Sequence, residues 1–445
     1  MRLGKNYKNA ENGIFLDDKA LMQAWKAAEL IRSGDVVCFS MMDGIPHFFL
    51  DVIGKRMTEL EDMRVYIGTM GRDVSLFDSA LENREISIED YFYSATERGY
   101  VKRGGAMSYV PVHLSDSLAG VKDDRRVVVV LQVSLPDEHG LVSLGPVPFE
   151  RSVLNRADCL IGQINRRLPY IYGVDRRIPL ERFDSVYYCD EVLPDPYLRE
   201  PSAEEERIAA GIAERVPDGA CIQLGIGSIG DAVGKLLKVK KDLGIHSEIF
   251  VDSMVDLIKC GAVNNSRKRA GAGKAVFGAV LLGSRSYTFL DKNISVEGRP
   301  FSWVNDARVI AQNDDVVSVN GALQIDLLGQ VCAESRGYSQ YSGTGGQADF
   351  VRGANWSKNG MSFIAMQSTG RDRSGERFSK ITLSHPPGNV ITTPRADVHY
   401  VVTEYGVVNL HGLSVDRRAR ALIGIAHPDF RDELMFDAKR AGILI

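Results

Sequence analysis

Glu248 lies eighteen residues past the glycine loop Gly225-Ile-Gly-Ser-Ile-Gly230, within Gly244-Ile-His-Ser-Glu-Ile-Phe-Val-Asp-Ser-Met-Val-Asp256. That pairing supports two incompatible chemistries. In one, the glycines hold a dinucleotide pyrophosphate and a carboxylate grips its ribose. In the other, the glycines leave room for a thioester and Glu248 is a covalent nucleophile, a role carboxylates do fill. A third reading needs no chemistry: glycines used only for tight strand–helix packing.

The dinucleotide reading has local support. Gly225, Gly227 and Gly230 match GxGxxG, the apolar stretch Ala220-Cys-Ile-Gln-Leu224 precedes them, and helix-like Asp231-Ala-Val-Gly-Lys-Leu-Leu237 follows. An acid about 20 positions on would complete the pattern. Against it, such an acid should close a continuous Val/Ile-rich strand. Here Lys238-Val-Lys-Lys-Asp242 intervenes, and Glu248 precedes the Ile249-Phe-Val251 run.

Other stretches add candidates. Tyr341-Ser-Gly-Thr-Gly-Gly-Gln-Ala-Asp-Phe-Val-Arg-Gly353 places four glycines around Gln347, Asp349 and Arg352. Glycines there permit positive φ and let backbone N–H groups face a cavity. Each such donor is worth about 3–4 kcal/mol to a developing oxyanion. The plainer alternative is a glycine-rich surface loop with an Arg–Asp pair. Val319–Glu334 opens like a strand and, followed by Gly329, could line a pocket, but by itself reads as core. Pro136-Asp-Glu-His-Gly140 reads as a turn, with His139 a weak candidate base. No serine sits in a GxSxG elbow and the histidines never reach metal-ligand spacing, so a metal centre is not expected.

These residues must be carried by an α/β framework. Strand-like runs at Asp35–Phe39, Arg126–Val133, Ala275–Leu282 and Val398–Thr403 alternate with helical stretches such as Ala20–Ile31 and Ala203–Val216. That alternation predicts two related open α/β domains with mostly parallel sheets. Three prolines in Leu193–Pro201, then Ser202 with a glutamate three residues on, place a boundary near residue 200. The expected domains are 1–200 and 201–445, the second carrying Glu248. Ser33–Pro46 lies over Pro217–Gly230 at an offset of 217 − 33 = 184, both reading as strand, small-residue turn and helix. Only the second copy is glycine-dense, which assigns the halves different jobs.

A chain of 445 residues exceeds one ordinary core. Its charge, 54 − 58 = −4, points to no nucleic-acid partner and no anionic membrane surface. An anionic ligand would therefore need local donors. The six scattered cysteines lack CxxC spacing and read as buried thiols of a reducing compartment. With no secretory core in Met1–Tyr7 and no long apolar run, a cytoplasmic protein is expected.

Taken together, Gln223–Val233, His246-Ser-Glu248, Gly343–Ala354, Val401-Val-Thr-Glu-Tyr-Gly406 and Ile425-Ala-His-Pro-Asp-Phe430 resemble the acetyl-CoA hydrolase/transferase family, in its 4-hydroxybutyrate and butyryl-CoA:acetate CoA-transferase branch. Pro136–Gly140 resembles that family's N-domain turn, and the resemblance runs in order over nearly the whole chain. It implies acyl-CoA and a small carboxylate as substrates, no NAD, and a homodimer or higher homo-oligomer. It implies Glu248 as the nucleophile that becomes a glutamyl-CoA thioester. Gly225, Ile226, Gly227, Ser228 and Ile229 would line the thioester region, with Leu323 and Lys380 also contacting CoA. Gly346, with Gly345 beside it, would offer backbone N–H groups to the reacting carbonyl. Two positions depart from the family pattern: Gly230 stands where proline is common, and Ser253 where many members have glycine. Both are expected to affect acyl preference or loop rigidity without removing a reacting group. A hydrolase on the same scaffold, a nicotinamide oxidoreductase and a non-catalytic CoA-binding regulator are the competing functions.

Overall fold

The computed structural model describes residues 18–83, 85–117, 123–193, 199–372 and 374–444. The N-terminal stretch read for a targeting signal and most of the proline-rich linker, 194–198, lie outside the described residues. The chain forms two compact units. The first comprises residues 1–112, 116–196 and 278–302; the second comprises 113–115, 197–277 and 303–445.

In the first unit seven strands form one sheet: β1 (Val36–Met41), β2 (Met63–Gly68), β3 (Ile86–Asp90), β4 (Met107–Tyr109), β5 (Val127–Val133), β6 (Cys159–Ile164) and β7 (Ser185–Tyr188). Their order is β4-β3-β2-β1-β5-β6-β7, and every pairing is parallel. The sequence dictates this. β5 reads Val-Val-Val-Val-Leu-Gln-Val and all seven residues are buried, as a strand covered on both faces requires. Burying each valine contributes about 1.5–3 kcal/mol.

In the second unit β8 (Cys221–Leu224), β9 (Gly244–Val251), β10 (Val316–Gly321), β11 (Met361–Ala365), β12 (Tyr400–Thr403) and β13 (Gly406–Asn409) run in the order β9-β8-β10-β11-β12-β13. Only the terminal hairpin β12–β13 is antiparallel. The helix Ala203–Ala213 opens on the expected capping box, with Ser202 and Glu205 each accepting the other's backbone N–H.

The segment 278–302 belongs to the first unit, so a linear 201–445 domain omits this excursion. Specific contacts hold it there. Tyr287 Oη donates to the buried Asp43 carboxylate, Tyr170 N–H donates to Asp291, and Ser302 Oγ donates to Glu150 at 2.7 Å. Sequence separation hides such contacts, because none follows a local period.

Shifted by 184, β1 falls on residues 220–225, which contain β8. In each sheet this strand stands where the order reverses, with the next strand on one side and a later one on the other. Ligands bind beyond the carboxyl ends of strands at such switch points. The two copies treat the position differently. In the first unit the Gln132 amide donates to the carbonyls of Asp43 and Ile45 and fills the turn after β1. In the second unit the turn after β8 is left open.

Candidate active site

The open turn after β8 is the glycine loop. Gly225, Ile226, Gly227, Ser228, Ile229 and Gly230 line a cavity of about 140 Å³, together with Val319 to Gly321, Ala365 and Glu205. Gly227 has φ +123°, reachable only without a Cβ, and this kink starts the helix Ser228–Leu236. A Cβ on Gly230 would overlap the Gly225 carbonyl oxygen. With no side chain at 230, the helix closes tightly on the loop. Ser253 is buried, and its Cβ lies against the backbone of Gly234, so the second departure packs on the same helix.

Glu248 is in the middle of β9, on the face shared by His246 and Phe250. It does not close the strand as a ribose-binding acid would. Asn305 Nδ2 donates to Glu248 Oε2 at 2.7 Å. The backbone N–H of Gly346 also donates to this carboxylate, and any Cβ on Gly346 would overlap Glu248 Oε2 and Asn305 Nδ2. Burial, with the Asp349 charge adding to it, pushes the Glu248 carboxyl up to about 7 against the Asn305 and Gly346 donors, which pull the other way. A carboxyl so placed ionises at higher pH than a free one.

The surroundings hold this geometry. His246 Nε2 donates to the Val304 carbonyl at 2.8 Å and the ring packs on Trp303, 5.5 Å between centroids. That fixes the turn bearing Asn305. Burial pushes the His246 pKa down to about 3, so it is a neutral strut, not a base. The glycine segment is pinned by Thr344 Oγ1 donating to Glu334 at 2.9 Å and by the Leu114 N–H donating to the Gly345 carbonyl at 3.0 Å. Gly345 takes φ +54°, which turns the chain into Gly346 and the helix Gln347–Trp356. Gln347 Nε2 donates to the Gly321 carbonyl at 2.6 Å, linking the neighbourhood of Glu248 to the cavity wall.

Leu323 and Lys380 fall outside the cavity lining, but each stands one residue before a strand of one small sheet, in which Gln324–Asp326 pairs with Ile381–Thr382. The Lys380 ammonium is pushed down by burial and by Arg336. Its backbone N–H donates to the Ser368 carbonyl, and Ser368 is in turn held by both oxygens of Glu404. The Val401–Gly406 and Ile425–Phe430 motifs also meet, since Thr403 Oγ1 donates to the Ile425 carbonyl at 2.6 Å.

Two residues of the site carried no motif: Asn305 has no signal beyond a turn-like Asn-Asp, and Glu205 reads only as a helix cap. Asn320, next to last in β10, lies in the Val319–Glu334 stretch. Conversely, His139 is an exposed turn residue beside Gly140. The Arg–Asp pair considered for the glycine segment does not form within it: Arg352 binds Asp397 at 3.0 Å, while Asp349 turns elsewhere. Among the described residues no group of His, Cys, Asp and Glu could hold a metal ion.

Two mostly parallel α/β sheets, a glycine-lined cavity at a switch point and a buried carboxylate under backbone and amide donors suit an acyl-transfer enzyme. The chain belongs to the acetyl-CoA hydrolase/transferase family: residues 17–194 match its N-terminal domain and 283–438 its C-terminal domain. It is a CoA-transferase of that family. It is 40% identical to the succinyl-CoA:cyclohexane-1-carboxylate CoA transferase of Geobacter metallireducens, over 93% of this chain and 94% of the relative. It is 33% identical to the butyryl-CoA:acetate CoA-transferase of Anaerostipes caccae, over 96% and 97%. The crystal structure of RipA from Yersinia pestis superposes with a TM-score of 0.88 at 35% identity, covering 96% of this chain and 100% of that one.

Proposed function

We propose that this enzyme moves CoA between a short-chain acyl-CoA, of the butyryl or 4-hydroxybutyryl kind, and acetate or another small carboxylate, by a ping-pong route through Glu248. The Glu248 carboxylate attacks the thioester carbonyl, the C–S bond breaks, and an acyl-glutamyl anhydride and CoA thiolate result. The thiolate then attacks the glutamyl carbonyl, expelling the first acid and leaving glutamyl-CoA. The acceptor carboxylate runs both steps in reverse. The observation that carries this reading is the Glu248 carboxylate beneath Asn305 Nδ2 at 2.7 Å and the Gly346 N–H. Donors set against this carboxylate are placed to stabilise the oxyanion that forms when the glutamyl carbonyl is attacked.

In this reading Gly225 to Ile229 line the thioester arm, with Leu323, Gly346 and Lys380 contacting CoA. One thioester is exchanged for another, so binding energy from the CoA arm is available for the reacting centre. Holding thiolate and anhydride together provides a high effective molarity. Six free cysteines, five of them buried, support a cytoplasmic setting. Homo-oligomeric assembly is part of the proposal, and light scattering tests it.

The deciding experiment is intact-protein mass spectrometry after mixing with acetyl-CoA alone, followed by peptide mapping. A CoA adduct on the Glu248 peptide, discharged by butyrate to give butyryl-CoA, is the expected result. Steady release of free CoA without adduct would make the protein a hydrolase. An adduct on another residue would displace Glu248.

A further inference from the structure

Asp349 has no role in the proposed chemistry, yet it is buried directly behind it. Its side chain is 12% exposed and sits in the first turn of the helix Gln347–Trp356, three residues past Gly346. The short segment 113–115 closes over it. Ser115 N–H and Oγ donate to the two oxygens of Asp349 at 3.4 and 3.3 Å, and His113 Nδ1 stands 4.0 Å from Oδ1. On its other side Asp349 faces the Asn305 carboxamide, which helps to hold its charge. The same carboxamide donates to Glu248 at 2.7 Å.

Asn305 is therefore held between two carboxylates. It is fully buried, and its Oδ1 has no hydrogen-bond partner. An amide has two N–H donors on one side and an acceptor-only oxygen on the other, and an ionised carboxylate only accepts. With one acid on each flank, the orientation that satisfies both directs the NH2 group between them. Turning the amide over would set its oxygen against a carboxylate.

We propose that Asp349 is a positioning residue: it locks the Asn305 carboxamide so that an N–H, not the carbonyl, faces Glu248, and the 113–115 segment stabilises Asp349 in that task. The inference rests on the reading of Glu248 as nucleophile and goes beyond it by assigning a second carboxylate and a remote segment to one device. The charged groups around Asp349 are few. Glu248 faces it from β9 through Asn305, and His113 faces it from 113–115. Asp306, next to Asn305, is tied to Arg308; Arg352 on the same helix is tied to Asp397; β10 and β11 present no charge. Like-charge proximity to Asp349 disfavours ionised Glu248, so its removal makes Glu248 more acidic.

The test measures single-turnover glutamyl-CoA formation by mass spectrometry, with steady-state kinetics across pH, in D349A, D349N, N305A and N305A/D349A. Asp349→Ala is expected to slow adduct formation about 10-fold or more through misplacement of Asn305. KM for acyl-CoA should stay within about twofold, since ground-state binding is untouched. Asp349→Asn retains an acceptor, so it should recover part of the rate, and its acid limb should move to lower pH. In the N305A background, adding D349A should cost nothing more, because Asp349 acts through the missing amide. Wild-type rates in D349A, or full additivity in the double variant, would overturn the inference while leaving Glu248 in place. Absence of a Glu248 adduct in the wild-type enzyme would remove the underlying mechanism and this inference with it.

Discussion

At the scale of the residue, reactivity is set by the balance between the burial that raises the Glu248 pKa and the two donors that lower it. Glu248→Gln keeps the shape but removes the proposed nucleophile, and stopped assays should show a loss of at least about two orders of magnitude in kcat. The wild-type rate should fall as pH drops through about 7, where Glu248 takes up its proton. Asn305→Ala removes a donor that favours the charged form, so that limb should move to higher pH in a kcat/KM profile. The same group affects stability with a defined sign. The Glu248 pKa is higher folded than unfolded, so the folded state binds its proton more tightly and the native state weakens between the unfolded value, 4.5, and about 7. E248Q should therefore raise the melting temperature more at pH 8 than at pH 5, readable by differential scanning fluorimetry.

At the scale of the element, the site depends on turns that exclude side chains. Gly346→Ala would drive a methyl into the Glu248 carboxylate and Asn305, so kcat should fall about 100-fold or more while circular dichroism is unchanged. Gly230→Ala meets a backbone oxygen, not a reacting group, and should raise KM for acyl-CoA about 5-fold by displacing the loop after β8. Similar losses of kcat in both variants would argue that the two glycine segments do not have separate tasks.

At the scale of the whole molecule, each unit carries a strand–turn–helix copy at its switch point, one plugged by Gln132 and one open. The first unit is completed by the returning segment 278–302, whose Tyr287 hydroxyl satisfies buried Asp43. Burial lifts Asp43 to about 6, with the Tyr287 hydrogen bond opposing it. Tyr287→Phe leaves that acid without its donor and should cost about 1–3 kcal/mol in urea melts. The cost should be greater at pH 8, where Asp43 is ionised, than at pH 5, where it keeps its proton.

Strands, helix starts and the repeat were legible because each is written locally. The valine run of β5, the Ser202–Glu205 cap and the glycines after β8 are decided by neighbours within a few positions. Glu248 and the glycine segment around Gly346 were legible as candidates for the same reason. The local pattern alone still allowed a dinucleotide site, because GxGxxG records only that Cβ atoms are unwelcome. Tertiary structure decided the rest: Glu248 in mid-strand beneath Asn305, Gln132 closing one switch point, Asp349 turned towards 113–115, and 278–302 returning to the first unit. These depend on side-chain contacts between residues from 45 to more than 200 positions apart, and no pattern of near neighbours encodes such distances.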